Sequence, residues 1–201
     1  MRVLVGCEFS GVVRDAFARR GHTAVSCDYG PSESAGGKHV VGDVRELLDD
    51  GWDMLIVFPD CTYLTVANNK SMQRGCSKYT AQQGQALRTE AIDLFMRLAE
   101  CAIPKTAIEN PIGIMSTRYR KPDQIVQPWQ FGEDASKATC LWLKGLPLLR
   151  PTNVLPGGKA ARRANQTPGG QNKLGPSPTR ARDRSRTYKG IAEAMAEQWG
   201  E

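Results

Sequence analysis

The chain has 201 residues, 40% of them hydrophobic and 24% charged, with 27 lysines and arginines against 21 aspartates and glutamates. That length suffices for one domain that buries a core of its own without disulfide or metal staples. No apolar run approaches the roughly 18–20 residues that cross a bilayer, and MRVLVGCEFSG lacks the apolar core and cleavage site of a secretory signal, so a cytoplasmic protein is expected.

In chain order, RVLV at 2–5 reads as a short buried strand closed by Gly6. A helix is predicted from about Gly11 to Arg20, with Val12, Val13, Ala16 and Phe17 on one face and Gly21 ending it. HTAVSC at 22–27 reads as a second strand ending at Asp28, and Lys38–Val41, after a Gly/Ser/Pro loop, as a third leading to Gly42-Asp43. A short helix over Val44–Asp50 and a strand over Asp53–Phe58 follow. Strand, helix and strand at this spacing imply a parallel sheet with helices on its faces.

Residues 68–85 are polar, carry Lys70, Arg74 and Lys78, and read as a mobile loop. The clearest helix runs on from there through Glu100, with Leu87, Ala91, Leu94, Phe95 and Leu98 at 3–4 spacing. Thr106–Ile108 is a short strand that delivers Glu109. Beyond Asp123 the rhythm breaks: Gln124–Phe131 and Thr139–Leu143 are candidate strands, Arg150–Thr187 is a Pro/Gly/Arg-rich irregular insertion, and Ile191–Trp199 is an amphipathic closing helix.

Charge is unevenly spread. Between Arg150 and Lys189 ten lysines and arginines face one acid, Asp183, whereas the rest of the chain holds 17 basic and 20 acidic residues. Such a segment is either a solvated basic loop or a contact for a polyanion, nucleic acid first. The six cysteines are scattered, and with only two histidines the paired spacings of a zinc site are missing. Free thiols and no metal are expected.

In open α/β sheets ligands bind beyond the carboxyl ends of the strands. There the sequence delivers the GCEFSG turn from Gly6 to Gly11, Asp28, Asp43, the Asp60-Cys61 pair and Glu109. The turn is not GxGxxG and lacks a P-loop lysine. Asp28 stands where an acid takes a ribose hydroxyl pair, although an aspartate after a strand is as often a turn residue. Pro59 forces the chain out of the sheet, and a thiol presented at such a turn is a candidate nucleophile.

FPDC, ENP and GCEFSG, in this order and spacing, resemble the motifs of cytosine-C5 methyltransferases, and in particular the small single-domain methyltransferase-like proteins of phages and prophages. KATCLWLKGLPLL and SRTYKGIAEAMAEQWG are similar to that group as well. The resemblance covers nearly the whole chain and is weakest over Arg150–Lys173. It implies a Rossmann-like S-adenosylmethionine-dependent methyltransferase fold over residues 1–201, mostly parallel with helices on both faces, in which 150–187 is a reduced target-recognition region.

Carried over, the resemblance gives Cys61 the attack on cytosine C6 and Glu109 the contact to N3 and the exocyclic amine. It assigns Gly6, Glu8, Phe9, Gly11, Asp28, Asp43 and Pro59 to S-adenosylmethionine, with Phe9 against the adenine, Asp28 on the ribose and Asp43 on the adenine amino group. Residues 68–85 match the loop that closes over a flipped base. Lys70, Arg74, Lys78, Arg162, Arg163, Arg180, Arg182 and Arg184 become candidates for a DNA backbone, double-stranded, with the protein a monomer. The chain departs from the family in having Asp60 before the cysteine, a proline after Glu-Asn and no clear QxRxR, for which Arg118, Arg120 and Gln124 are the nearby candidates. An RNA, a free cytidine nucleotide or a modified base at the same site, or a non-catalytic nucleic-acid-binding protein, are the other readings.

Overall fold

In the computed structural model, which describes residues 1–201 with the side chain of Ala181 excepted, seven strands form one sheet. They are β1 (Arg2–Gly6), β2 (Thr23–Asp28), β3 (Lys38–Val41), β4 (Met54–Val57), β5 (Lys105–Pro111), β6 (Gln124–Val126) and β7 (Thr139–Lys144). Their order is β3-β2-β1-β4-β5-β7-β6, parallel except for β7, which runs antiparallel to both neighbours. The mostly parallel, Rossmann-like α/β architecture expected from the sequence is the one observed.

Strand periodicity divides the core into two layers. Val3, Val5, Met54 and Ile56 point to one face, where α1 (Val12–Arg19) and the closing helix α6 (Lys189–Trp199) cover them with Phe17, Ile191, Met195 and Trp199. Leu4, Leu55, Val57 and Ile108 point to the other face, beneath Phe95 and Leu98 of α3 (Ala81–Ala99). β4 is buried along its whole length, as a central strand must be.

Three expectations are corrected. Residues 68–85 are not a continuous loop. Asn69–Arg74 forms α2, anchored by the buried Met72, and α3 already begins at Ala81 through a Thr80/Gln83 capping box. With one apolar anchor, α2 has no periodicity to read. The strand from Gln124 stops at Val126, because Pro128, which has no N–H for a ladder, opens a 3₁₀ turn over Pro128–Gln130. The helix expected over 44–50 is a shorter 3₁₀ turn, Val44–Leu47, N-capped by Asp43.

A short helix α4 (Met115–Arg118) follows β5, and the basic segment contains one more, α5 (Arg180–Ser185). The remainder of 150–187 is irregular but tied down. Leu155 N–H donates to the Trp129 carbonyl (2.9 Å), and Asn165 makes a reciprocal pair with the Ser136 backbone (2.9 and 3.0 Å).

Candidate active site

Strand order reverses between β1 and β4, so a crevice opens at their carboxyl ends. The turn leaving β1 holds the one positive-φ residue other than glycine among those described, Cys7 at φ 55°. A left-handed conformation costs a residue with a Cβ on the order of 1 kcal/mol, and such strain clusters at functional turns. The Cys7 thiol is pushed up to about 12, chiefly by burial and then by Asp28, Cys27, Asp43 and Asp60. Several carboxylates therefore act together on this crevice.

Glu8 is buried, and its carboxylate accepts from the N–H groups of Val13 (2.6 Å) and Arg14 (3.3 Å) at the start of α1. Burial holds it up to about 7 despite those bonds. Its carboxylate is thus spent on the helix. Arg14, which helical patterning leaves unassigned, is fully buried. It bonds Asp15 (2.8 Å), Ser26 (3.0 Å), Ser32 (3.3 Å) and the Gly36 carbonyl, pinning the serine loop over α1. Gly11 (φ 72°) lets the guanidinium pass: a Cβ there would stand 2.6 Å from Arg14 Nη2.

Phe9 lies at the crevice rim with the Arg182 guanidinium 4.7 Å from its ring centre. Glu33 holds that guanidinium, accepting from Arg182 Nε (2.9 Å) and from Arg186 Nη2 (2.7 Å), and its own N–H donates to the Phe9 carbonyl (2.8 Å). Helix α5 is thereby latched to the first turn. Asp28 is half-buried and receives one long N–H bond from Gly30 (3.4 Å). The Asp43 carboxylate accepts from Arg45 and from Tyr29 Oη (3.0 Å), and the Arg45 bond holds it down at about 2.

The Cys61 loop is built from both neighbouring strands. Pro59 is buried, and its carbonyl accepts from Asn110 Nδ2 (2.9 Å) on β5, one residue after Glu109. Asp60 Oδ1 accepts from Thr62 N–H (2.8 Å) and Thr62 Oγ1 (2.6 Å), so the aspartate closes the turn. The Cys61 thiol is half-buried and pushed up, first by burial, then by Asp60 and Glu109, with Lys137 acting the other way. Glu109, 14% exposed, lies 3.8 Å from Lys137 Nζ. Phe58, Lys137, Thr139, Thr187 and Tyr188 join it around a cavity of about 10 Å³, room for about one water. Arg88 on α3 ties the far side of the loop, donating to the Tyr63 carbonyl (2.9 Å) and to Asn69 Oδ1 (2.9 Å).

Sequence reasoning missed Asn110 as the brace, Arg88 and Lys137. ENP carried the first in plain sight. The other two depend on which loops the fold brings together. Of the QxRxR candidates, Arg120 is engaged with Asp123 (2.7 Å) and the Leu143 carbonyl (3.0 Å), and Gln124 with the Leu149 backbone. Of the basic candidates, Lys70, Arg74, Lys78, Arg162 and Arg184 are exposed and Arg180 is half-exposed. Arg163 is different. It is 5% exposed, stacked over Trp129 at 5.4 Å and bonded to the Gly158 carbonyl (2.7 Å), which takes it away from a backbone phosphate.

No family model matches the chain, and no curated protein does. Among solved structures, it is similar to a protein described as a DNA modification methyltransferase encoded within an E. coli prophage, with 16% identity and a TM-score of 0.47 over 79% of this chain and 53% of that one. It is similar also to the S. pombe Dnmt2 methyltransferase, with 15% identity and a TM-score of 0.44 over 74% of this chain and 50% of that one. The chain thus spans about half the length of each.

Proposed function

We propose that residues 1–201 form a single methyltransferase domain that uses S-adenosylmethionine to methylate C5 of cytosine in DNA, through a covalent Cys61 adduct assisted by Glu109. The observation that carries the reading is the pairing of a thiol and a carboxyl at the ends of adjacent strands, β4 and β5, braced together by the Asn110–Pro59 hydrogen bond (2.9 Å). Folding requires neither group at those positions.

Cytosine C5 is a poor nucleophile until a thiolate adds to C6. In the proposed reaction Cys61 forms the S–C6 bond while its thiol proton passes to N3, and the Glu109 carboxylate beside N3 stabilises the protonated ring of the adduct. C5 then carries enamine-like electron density. Once C5 bears the new methyl group, its proton passes to water, the S–C6 bond breaks to return the thiolate, and N3 releases the proton it took up. Lys137, 3.8 Å from Glu109, supplies positive charge while the thiolate exists.

The first turn suits the cofactor on chemical grounds. It has no phosphate-binding lysine, and the carboxylates that push Cys7 up favour a ligand bearing positive charge. Bound there, S-adenosylmethionine supplies an electrophilic methyl group. Gly6 and Gly11 bound the turn that would hold it, Phe9 offers a ring to its adenine, and Asp28 has carboxylate capacity left for a hydroxyl pair. Asp43 would reach the adenine amine by giving up the Tyr29 bond. Glu8 and Pro59 would act by fixing the shape of the turn and of the loop. A base flipped out of duplex DNA needs a protein that opens, since the cavity beside Glu109 holds about one water.

The test is trapping on DNA containing 5-fluorocytosine, whose C5 fluorine cannot leave as a proton does. Wild-type protein with cofactor is expected to give a stable adduct that maps to Cys61. C61S should retain cofactor binding and give none. A C61S protein that still methylates DNA at the wild-type rate would sink the covalent mechanism.

A further inference from the structure

A second cleft, of about 670 Å³, lies on the other side of the Cys61 loop, between that loop, α2 and α3. Thr62 and Tyr63, the two residues following Cys61, line it together with Tyr79, whose ring packs edge-to-face on that of Tyr63 with centres 6.3 Å apart at an interplanar angle of 62°. Ala86 and Leu87 give an apolar floor. Lys78 lies on the lining, and Lys70 and Arg74 are exposed on α2 beside it, while Glu90 is the only acid lining the cleft.

The walls are built. Arg88 fixes the Tyr63 backbone and α2 together, as described. Gly84, in the first turn of α3, sits so close to Tyr79 that a Cβ there would meet the ring at 3.1 Å. A glycine inside a helix is destabilising relative to alanine, and here it gives Tyr79 its seat against α3. The Gln83 amide has its oxygen engaged by Thr80 N–H (2.9 Å), which leaves its NH₂ group to donate.

Aromatic walls, an apolar floor, a few amide groups and a cationic rim are the ingredients of a site that stacks a base and neutralises its phosphate. The volume falls within the range of ligand pockets. Contiguity favours a polymer over a free molecule: the wall begins at Thr62, the residue after Cys61, which sets the cleft next to a target base held at Cys61. We propose that this cleft takes an unpaired nucleobase neighbouring the target in the same strand, stacked on Tyr79 with Lys78 on its phosphate. The proposal rests on the reading of Cys61 as the reacting thiol. It implies that the enzyme engages the target together with a neighbour that has also left the stack, so single-stranded or locally opened DNA binds better than closed duplex.

The experiment is a double-mutant cycle on binding. Affinity is measured by fluorescence anisotropy for a short single-stranded oligodeoxynucleotide with one 5-fluorocytosine, intact or with an abasic site at either flanking position, against wild type, Y79F and Y79A. One base stacked on an aromatic ring is worth about tenfold in affinity. Y79A and one flanking abasic site should each cost about that, and the two together little more, because they remove the same contact. Y79F should bind as wild type. Losses that multiply in full, in a Y79A protein that melts at the wild-type temperature, would show that Tyr79 and the base do not meet. No penalty from either abasic site overturns the proposal, as does free cytidine monophosphate binding that Y79A abolishes while strand binding is untouched. Adduct formation on the same oligonucleotide separates the two ideas. Coupling without an adduct removes the covalent mechanism and keeps the cleft; an adduct without coupling does the reverse.

Discussion

Lys137 stands beside the two groups that the proposed reaction uses. It is 3.8 Å from Glu109 and works against the burial and the two carboxylates that push the Cys61 thiol up. A raised thiol is mostly protonated at neutral pH, so the thiolate fraction, and with it the rate of adduct formation, should climb as pH rises beyond the ordinary thiol range. Removing the cation leaves Asp60 and Glu109 unopposed. In K137M the rising limb of adduct rate against pH, followed by mass spectrometry on 5-fluorocytosine DNA, is therefore expected to move to higher pH, with the rate at pH 7 lowered. A profile that stays in place would show that Lys137 does not act on the thiol. K137R, which keeps the charge, should restore it. Asp60 belongs to the same balance in the opposite sense, and its bonds to Thr62 make it a turn closure as well as a source of negative charge.

At the scale of elements, β4 and β5 act as one unit because Asn110 reaches across to Pro59 (2.9 Å) in a buried place. Truncation in N110A leaves the Pro59 carbonyl without its partner, which costs about 1–3 kcal/mol, and each kcal/mol lowers Tm by about 2–4 °C in a domain of this size. The adduct rate should fall at least tenfold, because the loop that carries Cys61 loses its brace, while binding of S-adenosylhomocysteine changes little. Equal losses in both would make Asn110 a general stabiliser instead. The central strands, α1, α3 and α6 were legible because their apolar residues repeat at strand or helix spacing and end at Gly, Pro or Asp. Cys61 was legible as the thiol that follows the exit of β4, whereas Glu109, expected just past a strand ending at Ile108, lies within β5, which runs on to Pro111. α2 was hidden because Met72 is its single buried residue. Lys137 was hidden for a topological reason: β7 inserts antiparallel beside β5, pairing Leu141 with Glu109, and only that pairing carries the loop before β7 to the Cys61 side. Arg14 was hidden because a buried arginine in an amphipathic helix looks like a polar-face residue until the serine loop folds over it.

For the whole molecule, the excess of positive charge is smaller in effect than its count suggests. The clustering of cations in 150–189 reads from sequence as a uniform phosphate-binding strip. Folding divides it. Arg163 is buried on Trp129, and Arg182 and Arg186 are held by Glu33 over Phe9. That leaves Lys70, Arg74, Lys78, Arg162, Arg180 and Arg184 among the candidates as cations without an acidic partner among the described residues. If all six met phosphates of duplex DNA, the plot of log Kobs against log salt would have a slope of about −5, at roughly −0.9 per contact. A charge-neutralising change at an exposed position, R184Q, should make it shallower by about one unit, whereas R163Q should leave it unchanged and act on thermal stability instead. The latch gives this measurement a second use. E33Q weakens the hold on Arg182 and Arg186, so if α5 can leave Phe9 for DNA, the E33Q slope should steepen by one to two units while cofactor affinity falls. An E33Q slope equal to wild type would mean that the two arginines stay with the first turn, and that the basic segment divides its charge between the crevice and the nucleic acid whether or not DNA is bound.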